Sequence, residues 1–378
     1  MIENICDIEK CTGCTTCQSV CPTNSILMRE GNGGHVYPSI SNSCIDCGKC
    51  IKNCPVNKEI ELLTPLLTYA AWAKDSEEHA TSTSGGVAAV LTNWYLENGG
   101  VVYGCASLPQ GKIEHVRVAK KSDAHLLKGS KYVQSHIGET LVSVKKDLKE
   151  GYKVLFIGLP CQVAGLKNYI GEHPGLLTID LVCHGVPSQK LLFDYLDELG
   201  ISREKIDLVR FRDSEGYNLT IFSGGKELYR KSHLSDLYYL AFFDNLSFRS
   251  SCYKCRYATE KRCGDITLGD FWGLGKKREF NHDPKGNVSL VFVNSRKGNE
   301  LIDSASSQLE LVLRDLSEAV AGNRNLRHSS ANKNSKIFSN QLQKNKSTVD
   351  TLKKFLFKRK IKSLLIPMIE VLQNIFKR

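Results

Sequence analysis

The chain has 378 residues, which is too long for one ordinary hydrophobic core and predicts two or three domains. Its composition, 41% apolar and 24% charged, is that of a soluble globular protein. The net charge of +11 comes almost entirely from residues 331–378, where ten Lys and two Arg stand against Asp350 and Glu370. Because no nucleic-acid-binding motif accompanies this charge, we predict no nucleic-acid partner.

Fifteen cysteines would indicate disulfide bonds in a secreted protein. The first residues, however, lack the basic and apolar regions of a secretory signal. Thiolate ligands also require a reducing compartment. We therefore expect a cytoplasmic protein.

Two cysteine runs, starting at Cys11 and Cys44, share the spacing C-x2-C-x2-C-x3-C-P. This is the spacing of a bacterial-type ferredoxin with two [4Fe–4S] clusters, in which the fourth cysteine of each run binds the other cluster. A zinc module fits less well, since zinc sites more often pair C-x2-C units across a longer spacer, and a disulfide scaffold is the other alternative. The spacing predicts a cluster at site I (Cys11, Cys14, Cys17 and Cys54) and another at site II (Cys44, Cys47, Cys50 and Cys21).

After this module (residues 1–63) and a linker around residues 59–65, the pattern changes. A strand begins at Tyr69, an apolar helix is expected at 87–96, and a strand and a helix follow at 101–104 and 139–149. Hydroxyl and glycine residues at 81–87 and 129–135 precede the two helices. The first of these stretches predicts either an anion-binding turn with free backbone N–H groups or ordinary helix N-capping.

Strands and helices then alternate, with strands at 153–158 and 176–182 and helices at 163–170 and 189–199, which indicates a parallel α/β sheet. Cys161 and Cys183 each follow a strand end, where open α/β sheets bind their ligands. The remaining expected elements are paired strands at 207–212 and 218–222, an aromatic core helix at 237–243, a strand at 288–293 and a helix from 301.

The pair Cys252-x2-Cys255 needs two more ligands to hold a cluster or a metal ion. Neighbouring strand ends would place Cys161 and Cys183 side by side. We therefore predict a third [4Fe–4S] cluster at site III (Cys161, Cys183, Cys252 and Cys255). Cys263 is the reserve ligand, Cys105 is interpreted as a packing residue, and a zinc ion on the same four sulfurs is the alternative.

Over roughly residues 66–330 the chain resembles the iron–sulfur flavoproteins of the coenzyme F420 hydrogenase/dehydrogenase beta-subunit family. The segments that carry the resemblance are short but occur in the family's order. They are Ser84-Gly-Gly, Gly129-Ser-Lys-Tyr-Val-Gln-Ser135, Gly158-Leu-Pro-Cys-Gln162, Leu181-Val-Cys-His-Gly185, Cys252-x2-Cys255 and Gly264-Asp-Ile-Thr-Leu-Gly-Asp-Phe-Trp-Gly273.

This resemblance implies an FAD bound beside a [4Fe–4S] cluster, with coenzyme F420 as one candidate substrate. Gly158-Leu-Pro departs from the family's more usual Gly-Thr-Pro and lacks its hydroxyl. Bacterial members with this ferredoxin module resemble proteins encoded among surface-polysaccharide assembly enzymes, so the family name does not settle the substrate. The residues implied to line the flavin are Ser84, Gly85, Gly86, Lys131, Tyr132, Val133, Gln134 and Ser135, with Asp265 and Asp270 near the same site.

The predicted fold is thus an α+β ferredoxin-like module at 1–63 followed by an α/β domain with a mostly parallel sheet. Residues 66–150 would be its flavin-binding part, residues 151–330 the part with the third cluster, and residues 331–378 a basic helical tail. His184, next to Cys183, is either a proton donor or, more ordinarily, a hydrogen-bond partner.

The leading hypothesis is an oxidoreductase that passes electrons between [4Fe–4S] clusters and FAD, to or from a small or lipid-linked substrate, with surface-polysaccharide biosynthesis as one setting. The alternative is an electron-transfer protein that relays electrons between ferredoxin, or another redox protein, and a partner enzyme without a substrate of its own.

The tail combines apolar and basic residues from Leu352 onward. Such a helix is typical of contact with an anionic membrane surface, whereas its frequent charges exclude a membrane span. The alternative is a terminal helix packed on the body of the protein. The apolar face would consist of Phe355, Leu356, Ile361, Leu364 and Leu365, with a kink at Pro367.

Overall fold

The computed structural model describes residues 2–213 and 215–357. The N-terminal module is built on an antiparallel hairpin, β1 (Ile26–Glu30) and β2 (Val36–Ile40). Each cysteine run contributes a short helix, α1 (Thr16–Ser19) and α2 (Lys49–Asn53), and these two helices contact each other. This arrangement is the α+β ferredoxin-like module that the cysteine spacing predicts.

The remaining strands belong to two sheets. In chain order they are β3 (Leu67–Ala73), β4 (Val101–Ser107), β5 (Ile113–Val118), β6 (Val154–Gly158), β7 (Leu176–Leu181), β8 (Leu208–Arg210), β9 (Asn218–Ser223), β10 (Lys226–Ser232), β11 (Ile266–Asp270), β12 (Ser289–Val293) and β13 (Leu309–Leu313).

The remaining α-helices lie between these strands and after them. In chain order they are α3 (Ser76–Ala80), α4 (Val87–Glu97), α5 (Thr140–Lys149), α6 (Pro160–Ile170), α7 (Gln189–Glu198), α8 (Leu237–Phe243), α9 (Arg296–Ala305), α10 (Leu316–Gly322) and α11 (Ser335–Lys344), followed by helical residues at 348–357.

The larger sheet has eight strands in the order β13-β3-β12-β11-β7-β6-β4-β5. Strands β11, β7, β6 and β4 are parallel, because strand–helix crossovers connect β4, β6 and β7. The other neighbouring pairs in the described sheet are antiparallel. The sheet is therefore mixed, with a parallel centre, rather than mostly parallel.

The parallel centre is buried on both faces, as its uninterrupted apolar runs lead one to expect. Val154, Leu155 and Phe156 of β6 and Ile179 of β7 are fully buried. The four parallel strands end at one edge of the sheet, which we call the carboxyl edge. Because β3, β4 and β5 pair in the same sheet as β6, β7 and β11, the predicted parts 66–150 and 151–330 form one structural unit.

The smaller sheet, β10-β9-β8, is antiparallel and includes the predicted strand pair β8–β9. Helices α7 and α8 share its apolar core, in which Tyr195, Tyr238 and Tyr239 are buried. Helix α8 has the predicted range and the predicted core position.

The described part of the tail packs on the protein body. Leu352 and Leu356 are fully buried in the same core as Phe338 of α11, and Phe355 packs against it. For these positions the packed-helix interpretation is correct. Ile361, Leu364, Leu365 and Pro367 lie outside the described residues, so the membrane-surface interpretation of that segment stays a prediction. Within the described residues, no helix combines the length and the apolar character that crossing a membrane requires.

Candidate metal centres and cofactor site

Site II lies at the surface of the ferredoxin module. Its four cysteines line one small cavity together with apolar residues such as Ile2 and Ile45. Cys47 is exposed, and 63% of the Ile45 side chain is accessible to solvent. The grouping agrees with the ligand set predicted for site II, and a cluster held there would be open to a redox partner.

Site I faces the interior of the protein. Cys11, Cys14, Cys17 and Cys54 are all buried. Burial raises the pKa of the Cys17 thiol, and the charges of Cys14, Cys11 and Cys54 add to this effect. Thiolates this close together repel one another unless cations separate them, and the iron ions of a cluster are such cations. The four side chains therefore fit a [4Fe–4S] cluster.

Cys6, outside both runs, is half-buried and lies beside the Cys11 and Cys54 thiols of site I. Its contact is the main reason that the pKa of Cys11 falls to about 6 and that of Cys54 to about 7. The spacing of the runs gives no hint of this contact.

Site III gathers four thiols from three separate parts of the sequence. Cys161 lies in the first turn of α6 and Cys183 follows β7. Cys252 lies in a short 3-10 turn, Ser250–Lys254, and Cys255 directly follows that turn. Burial, and then the charges of the other three thiols, raise the pKa of Cys161 well above its usual value. The fold thus brings the four predicted ligands into mutual range, and they fit an iron–sulfur cluster by the same argument as site I.

Cys263 and Cys105 are engaged elsewhere. The Cys263 thiol donates to an Asp180 carboxylate oxygen at 3.1 Å and to the Pro160 carbonyl oxygen at 3.2 Å. Cys105 lies beside Lys131 and Ser135 in the apolar core shared with α7. Both placements agree with the interpretation of the two cysteines as non-ligands.

Sites I and III meet at helix α6. Gly165, one turn after Cys161 on the same helix face, packs directly against site I. A Cβ atom on Gly165 would lie 3.0 Å from the Cys14 sulfur and 2.5 Å from the Thr16 hydroxyl oxygen. The pKa of Cys161 is raised mainly by burial and then by the other site III thiols. The charge of Cys14, in site I, adds to this effect. The missing side chain lets the two sulfur groups approach each other.

Replacing Gly165 with alanine is therefore expected to loosen the ferredoxin module. Overpacking of this size costs about 1–3 kcal/mol. Hydrogen exchange of α1 and α6 should become faster, whereas Lys167→Ala, on the half-exposed side of α6, should leave it unchanged. Equal exchange in both variants would contradict the close packing.

Arg249 is a site residue that sequence analysis missed. Its side chain is 1% exposed and donates to the Cys11 carbonyl oxygen at 2.6 Å, to the Val36 carbonyl oxygen at 2.7 Å and to the Gln134 side-chain oxygen at 3.2 Å. Its guanidinium also lies 3.6 Å from the Cys11 sulfur. The contact joins residues 238 positions apart, so no local pattern signals it.

A buried ion pair underlies site III. The Asp180 carboxylate accepts from Arg262 at 3.0 Å, and both side chains are at most 1% exposed. The same carboxylate accepts from the backbone N–H groups of Cys263 and Gly264 and from the Thr267 hydroxyl. It thereby fixes the segment that connects Cys255 to β11.

Some of the residues implied to line a flavin lie together at the carboxyl edge. The Ser84 hydroxyl lies 3.2 Å from that of Ser289, which pairs with Asp270 at the end of β11. Asp270 accepts from Arg212 at 2.7 Å. Although burial works against the charged form, Asp270 raises the pKa of Arg212 above its usual value. The guanidinium lies over the ring of Tyr217, 4.8 Å from its centroid.

Tyr132 lies at the same place, with its ring centroid 5.6 Å from that of Tyr217. Next to it, the Ser130 hydroxyl lies 3.0 Å from that of Thr83. Helix α4 begins at this loop with Gly86 as N-cap and no side-chain capping bond, so ordinary side-chain N-capping is absent there. Gly85 has a packing reason as well, because a Cβ atom would lie 2.2 Å from the Ala71 carbonyl oxygen. We call the group Thr83, Ser84, Ser130, Tyr132, Arg212 and Asp270 the edge site.

Other residues implied to bind flavin have different partners. The Lys131 ammonium donates to the carbonyl oxygens of Cys105, Leu127 and Lys128, which uses all its hydrogens. Burial lowers its pKa. Its contacts are thus with the backbone rather than with the edge site.

The stretch after Tyr132 turns away from the edge site. Val133 is buried in the core. The Gln134 amide donates to the Thr12 carbonyl oxygen of the ferredoxin module, and Ser135 accepts from Gln162. Gln134 thus joins the ferredoxin module to the rest of the protein, whereas Val133 and Ser135 contact residues outside the module.

Asp265 and Asp270 lie at opposite ends of β11, roughly 16 Å apart at the usual rise per residue of a strand. Asp265 accepts from the Thr178 backbone N–H and hydroxyl and from the Ser295 hydroxyl. The structure therefore does not bring the two carboxylates to one site. Asp270 alone belongs to the edge site.

His184 stands between site III and the edge site. Its ring centroid is 5.2 Å from that of Phe242, which is 5.1 Å from that of Tyr132. Its Nδ1 atom lies 3.1 Å from the Asn325 amide nitrogen, and burial lowers its pKa. The contacts are those of a hydrogen-bonded, neutral imidazole.

A ferredoxin module whose inner thiols contact a cysteine-bearing α/β sheet defines an iron–sulfur electron-transfer protein. Residues 10–58 match the model of the 4Fe-4S dicluster domain. Residues 151–319 match the model of the C terminus of the coenzyme F420 hydrogenase/dehydrogenase beta subunit. Residues 151–319 thus match the C-terminal part of this beta-subunit family, and the dicluster domain lies ahead of them.

Several archaeal proteins are similar to this chain. The coenzyme F420-dependent sulfite reductase of Methanocaldococcus jannaschii is 47% identical over 332 residues, which are 79% of this chain and 46% of that protein. A component of the F(420)H(2) dehydrogenase of Methanosarcina mazei is 24% identical over 212 residues, which are 50% of this chain and 59% of that component. The chain thus spans about half the length of these two relatives.

An uncharacterised protein of M. jannaschii is 23% identical over 331 residues, covering 72% of this chain and 87% of that protein. Among solved structures, a chain from the F420-reducing [NiFe] hydrogenase complex of Methanosarcina barkeri aligns with a TM-score of 0.43 at 17% identity, over 79% of this chain and 93% of that chain.

Proposed function

We propose that this protein is an oxidoreductase that moves electrons between a surface-exposed cluster at site II and a flavin at the edge site, through clusters at sites I and III. The observation that carries the proposal is the contact at Gly165, which joins the inner cluster site of the ferredoxin module to the helix that bears Cys161. Without such a contact the module would be an unconnected appendage.

The positions of the four sites support a linear route. Site II is exposed, site I is buried, site III lies under the ferredoxin module, and the rings of His184 and Phe242 lead from site III towards Tyr132. Cys47 and Ile45 supply the open end at which a one-electron carrier would dock. The protein's contribution is to hold the groups close together and to exclude water between them.

The chemistry of the edge site suits an FAD. Uncapped N–H groups at the start of α4 and the hydroxyls of Thr83, Ser84 and Ser130 can receive a diphosphate. Arg212 offers a positive charge, and the exposed ring of Trp272 adds an aromatic surface after Asp270. A flavin supplies the exchange between a two-electron substrate and one-electron clusters.

For the substrate we propose a hydride carrier of the deazaflavin type, coenzyme F420, because the printed names of two relatives refer to it. The other candidate is a small or lipid-linked substrate, as in surface-polysaccharide biosynthesis, and both kinds of substrate should be tested. A pure relay role is the second candidate function. It is favoured by the length comparison, since a longer relative would carry its terminal chemistry in the part that this chain does not span.

Metal and flavin content after anaerobic purification test the cofactor set. We expect about twelve iron atoms per chain, the number for three [4Fe–4S] clusters, and one FAD. About eight irons and one zinc ion per chain would instead support the alternative, a zinc ion on the four sulfurs of site III. About eight irons and no flavin absorbance would contradict both site III and the edge site as proposed.

Anaerobic reduction separates the two functions. An enzyme with an edge-site flavin should be reduced by F420H2 or another hydride donor without any partner protein. A relay should be reduced by ferredoxin only. An Arg212→Met variant should lose reduction by hydride donors and retain reduction by ferredoxin. Equal loss of both would contradict a specific role of Arg212 in hydride transfer at the edge site.

A further inference from the structure

A buried cation, Arg249, lies 3.6 Å from the Cys11 sulfur of site I and has no carboxylate to balance it among the described residues. Arg249 is 1% exposed, and the described hydrogen-bond acceptors of its side chain are two backbone carbonyls, one amide oxygen and the Cys11 sulfur. No carboxylate lies within ion-pair distance of it among residues 2–213 and 215–357. The other buried arginines of the described residues, Arg212, Arg262 and Arg314, each have one.

An unbalanced charge in a protein interior is costly, so buried charges are paired or bound to metals. The group that can balance Arg249 is the site I cluster itself, because four thiolates around a [4Fe–4S] core carry net negative charge. The guanidinium reaches Cys11 at its sulfur and at its carbonyl oxygen, and Tyr37 covers its face at 4.3 Å. It is therefore held in one position against the cluster ligand.

Site II has the opposite surroundings. A carboxylate oxygen of Asp46 lies 3.9 Å from the Cys44 sulfur, and the site is open to water. Water and salt screen charges there, whereas the charge of Arg249 acts in a medium of low polarizability. A single residue, Arg249, can thus make the reduction potentials of the site I and site II clusters differ.

We propose that Arg249 is the residue that sets the reduction potential of the site I cluster. Reduction adds one negative charge, which burial disfavours and a fixed adjacent cation favours. Arg249 therefore raises the potential of site I above the value that burial alone would give it. The inference depends on the dicluster module and not on the flavin or its substrate.

Arg249 also connects this function to site III through its backbone. Its carbonyl oxygen accepts from the Cys252 N–H at 2.9 Å, and its own N–H donates to the Val186 carbonyl oxygen at 3.1 Å. The side chain that reaches site I and a ligand loop of site III thus belong to one rigid segment. An electron on the site I cluster would thus lie close to site III, the next site of the proposed route.

The test is a redox titration of the purified protein, followed by electron paramagnetic resonance, for the wild type, Arg249→Lys and Arg249→Gln. Lysine keeps the charge and glutamine keeps hydrogen-bonding capacity without it. We expect Arg249→Gln to make reduction of site I at least about tenfold less favourable, which is 59 mV for one electron. Arg249→Lys should retain most of the wild-type potential, and the site II potential should not move.

Two further variants make the result unambiguous. Cys47→Ser changes a ligand of the exposed cluster alone and so identifies which potential belongs to site II. Lys49→Met removes an exposed cation beside site II, where screening should make the effect small. Equal shifts in Arg249→Lys and Arg249→Gln, or no shift in either, would overturn the proposal, since both point to packing rather than charge.

Cluster loss is also informative. If Arg249→Gln loses about four irons per chain and Arg249→Lys keeps them, the buried cluster requires the cation, which supports the proposal. If both variants lose them, the residue acts through its shape and the proposal fails.

Discussion

Replacing Cys183 with serine is expected to remove about four irons per chain and to stop electron transfer between the ferredoxin module and the proposed flavin. Cys183 follows β7 at the centre of the parallel strands and interacts with Cys252 and Cys255 as well as Cys161. The loss removes one of four ligands at the only proposed step between site I and the edge site. The ferredoxin clusters, whose eight ligands lie elsewhere, should remain.

Three measurements follow this variant. Iron content should fall by about one third, the site I and site II resonance signals should persist, and flavin reduction by reduced ferredoxin should fall to background. Direct reduction of the flavin by a hydride donor should continue, because it bypasses site III. Hydride-driven and ferredoxin-driven reduction are therefore expected to separate in this variant.

Cys263→Ser and Cys105→Ser are the matched controls. A serine at 263 can still donate to Asp180 and to the Pro160 carbonyl oxygen. Both controls should keep full iron content. Iron loss in Cys263→Ser together with full iron in Cys183→Ser would move the ligand role from Cys183 to the reserve position.

The cysteine residues show what the sequence determines. Ligand spacing within a run is local, so the grouping of sites I and II follows from the two runs alone. The alternation of strands and helices was enough to place Cys161 and Cys183 at neighbouring strand ends, because parallel strands present their ends at one edge. In the structure Cys161 and Cys183 do follow the neighbouring strands β6 and β7, whereas the ligand sets of sites I and II stay predictions.

The contacts between distant segments could not be predicted in the same way. Arg249 reaches Cys11 across the domain boundary, and Gly165 meets Cys14 only because α6 turns one face towards the module. The antiparallel pairing of β3 with β12 and β13 likewise joins strands more than 200 residues apart. Each depends on the finished fold and leaves no periodicity in the sequence.

The implied flavin residues illustrate a further limit. A resemblance assigns a role to a whole motif, whereas a strand or loop sends neighbouring side chains in different directions. Tyr132 reaches the edge site, but Lys131 is held by carbonyl groups and Gln134 binds the ferredoxin module. Asp265 and Asp270 are separated simply because a strand is extended.

The largest stability effect is expected from Asp180→Asn. The variant leaves Arg262 charged and buried, and breaking a buried pair in this way costs about 3–5 kcal/mol. It also weakens the acceptor for the N–H groups of Cys263 and Gly264, so the segment from Cys255 to β11 should loosen. Site III should then lose iron at lower guanidinium concentration than the ferredoxin module.

The effect should be independent of pH from neutral to alkaline conditions. Burial by itself would raise the pKa of Asp180, but Arg262 and the hydrogen bonds hold it below the ordinary 3.8. A carboxylate with a lowered folded-state pKa stabilises the fold fully above its unfolded value and loses this effect as the pH falls through the folded value. The difference between wild type and variant should therefore shrink only in acid.

The matched control is Glu300→Gln, which breaks the exposed pair with Arg296 one helical turn away. Exposed pairs of this kind contribute at most about 0.5 kcal/mol, so its unfolding midpoint should match the wild type. Anaerobic guanidinium unfolding followed by tryptophan fluorescence and cluster absorbance measures both variants. An unfolding midpoint for Asp180→Asn within error of that for Glu300→Gln would contradict this prediction. It would mean that the Arg262 charge finds another partner and that the ion pair does not fix the segment from Cys255 to β11.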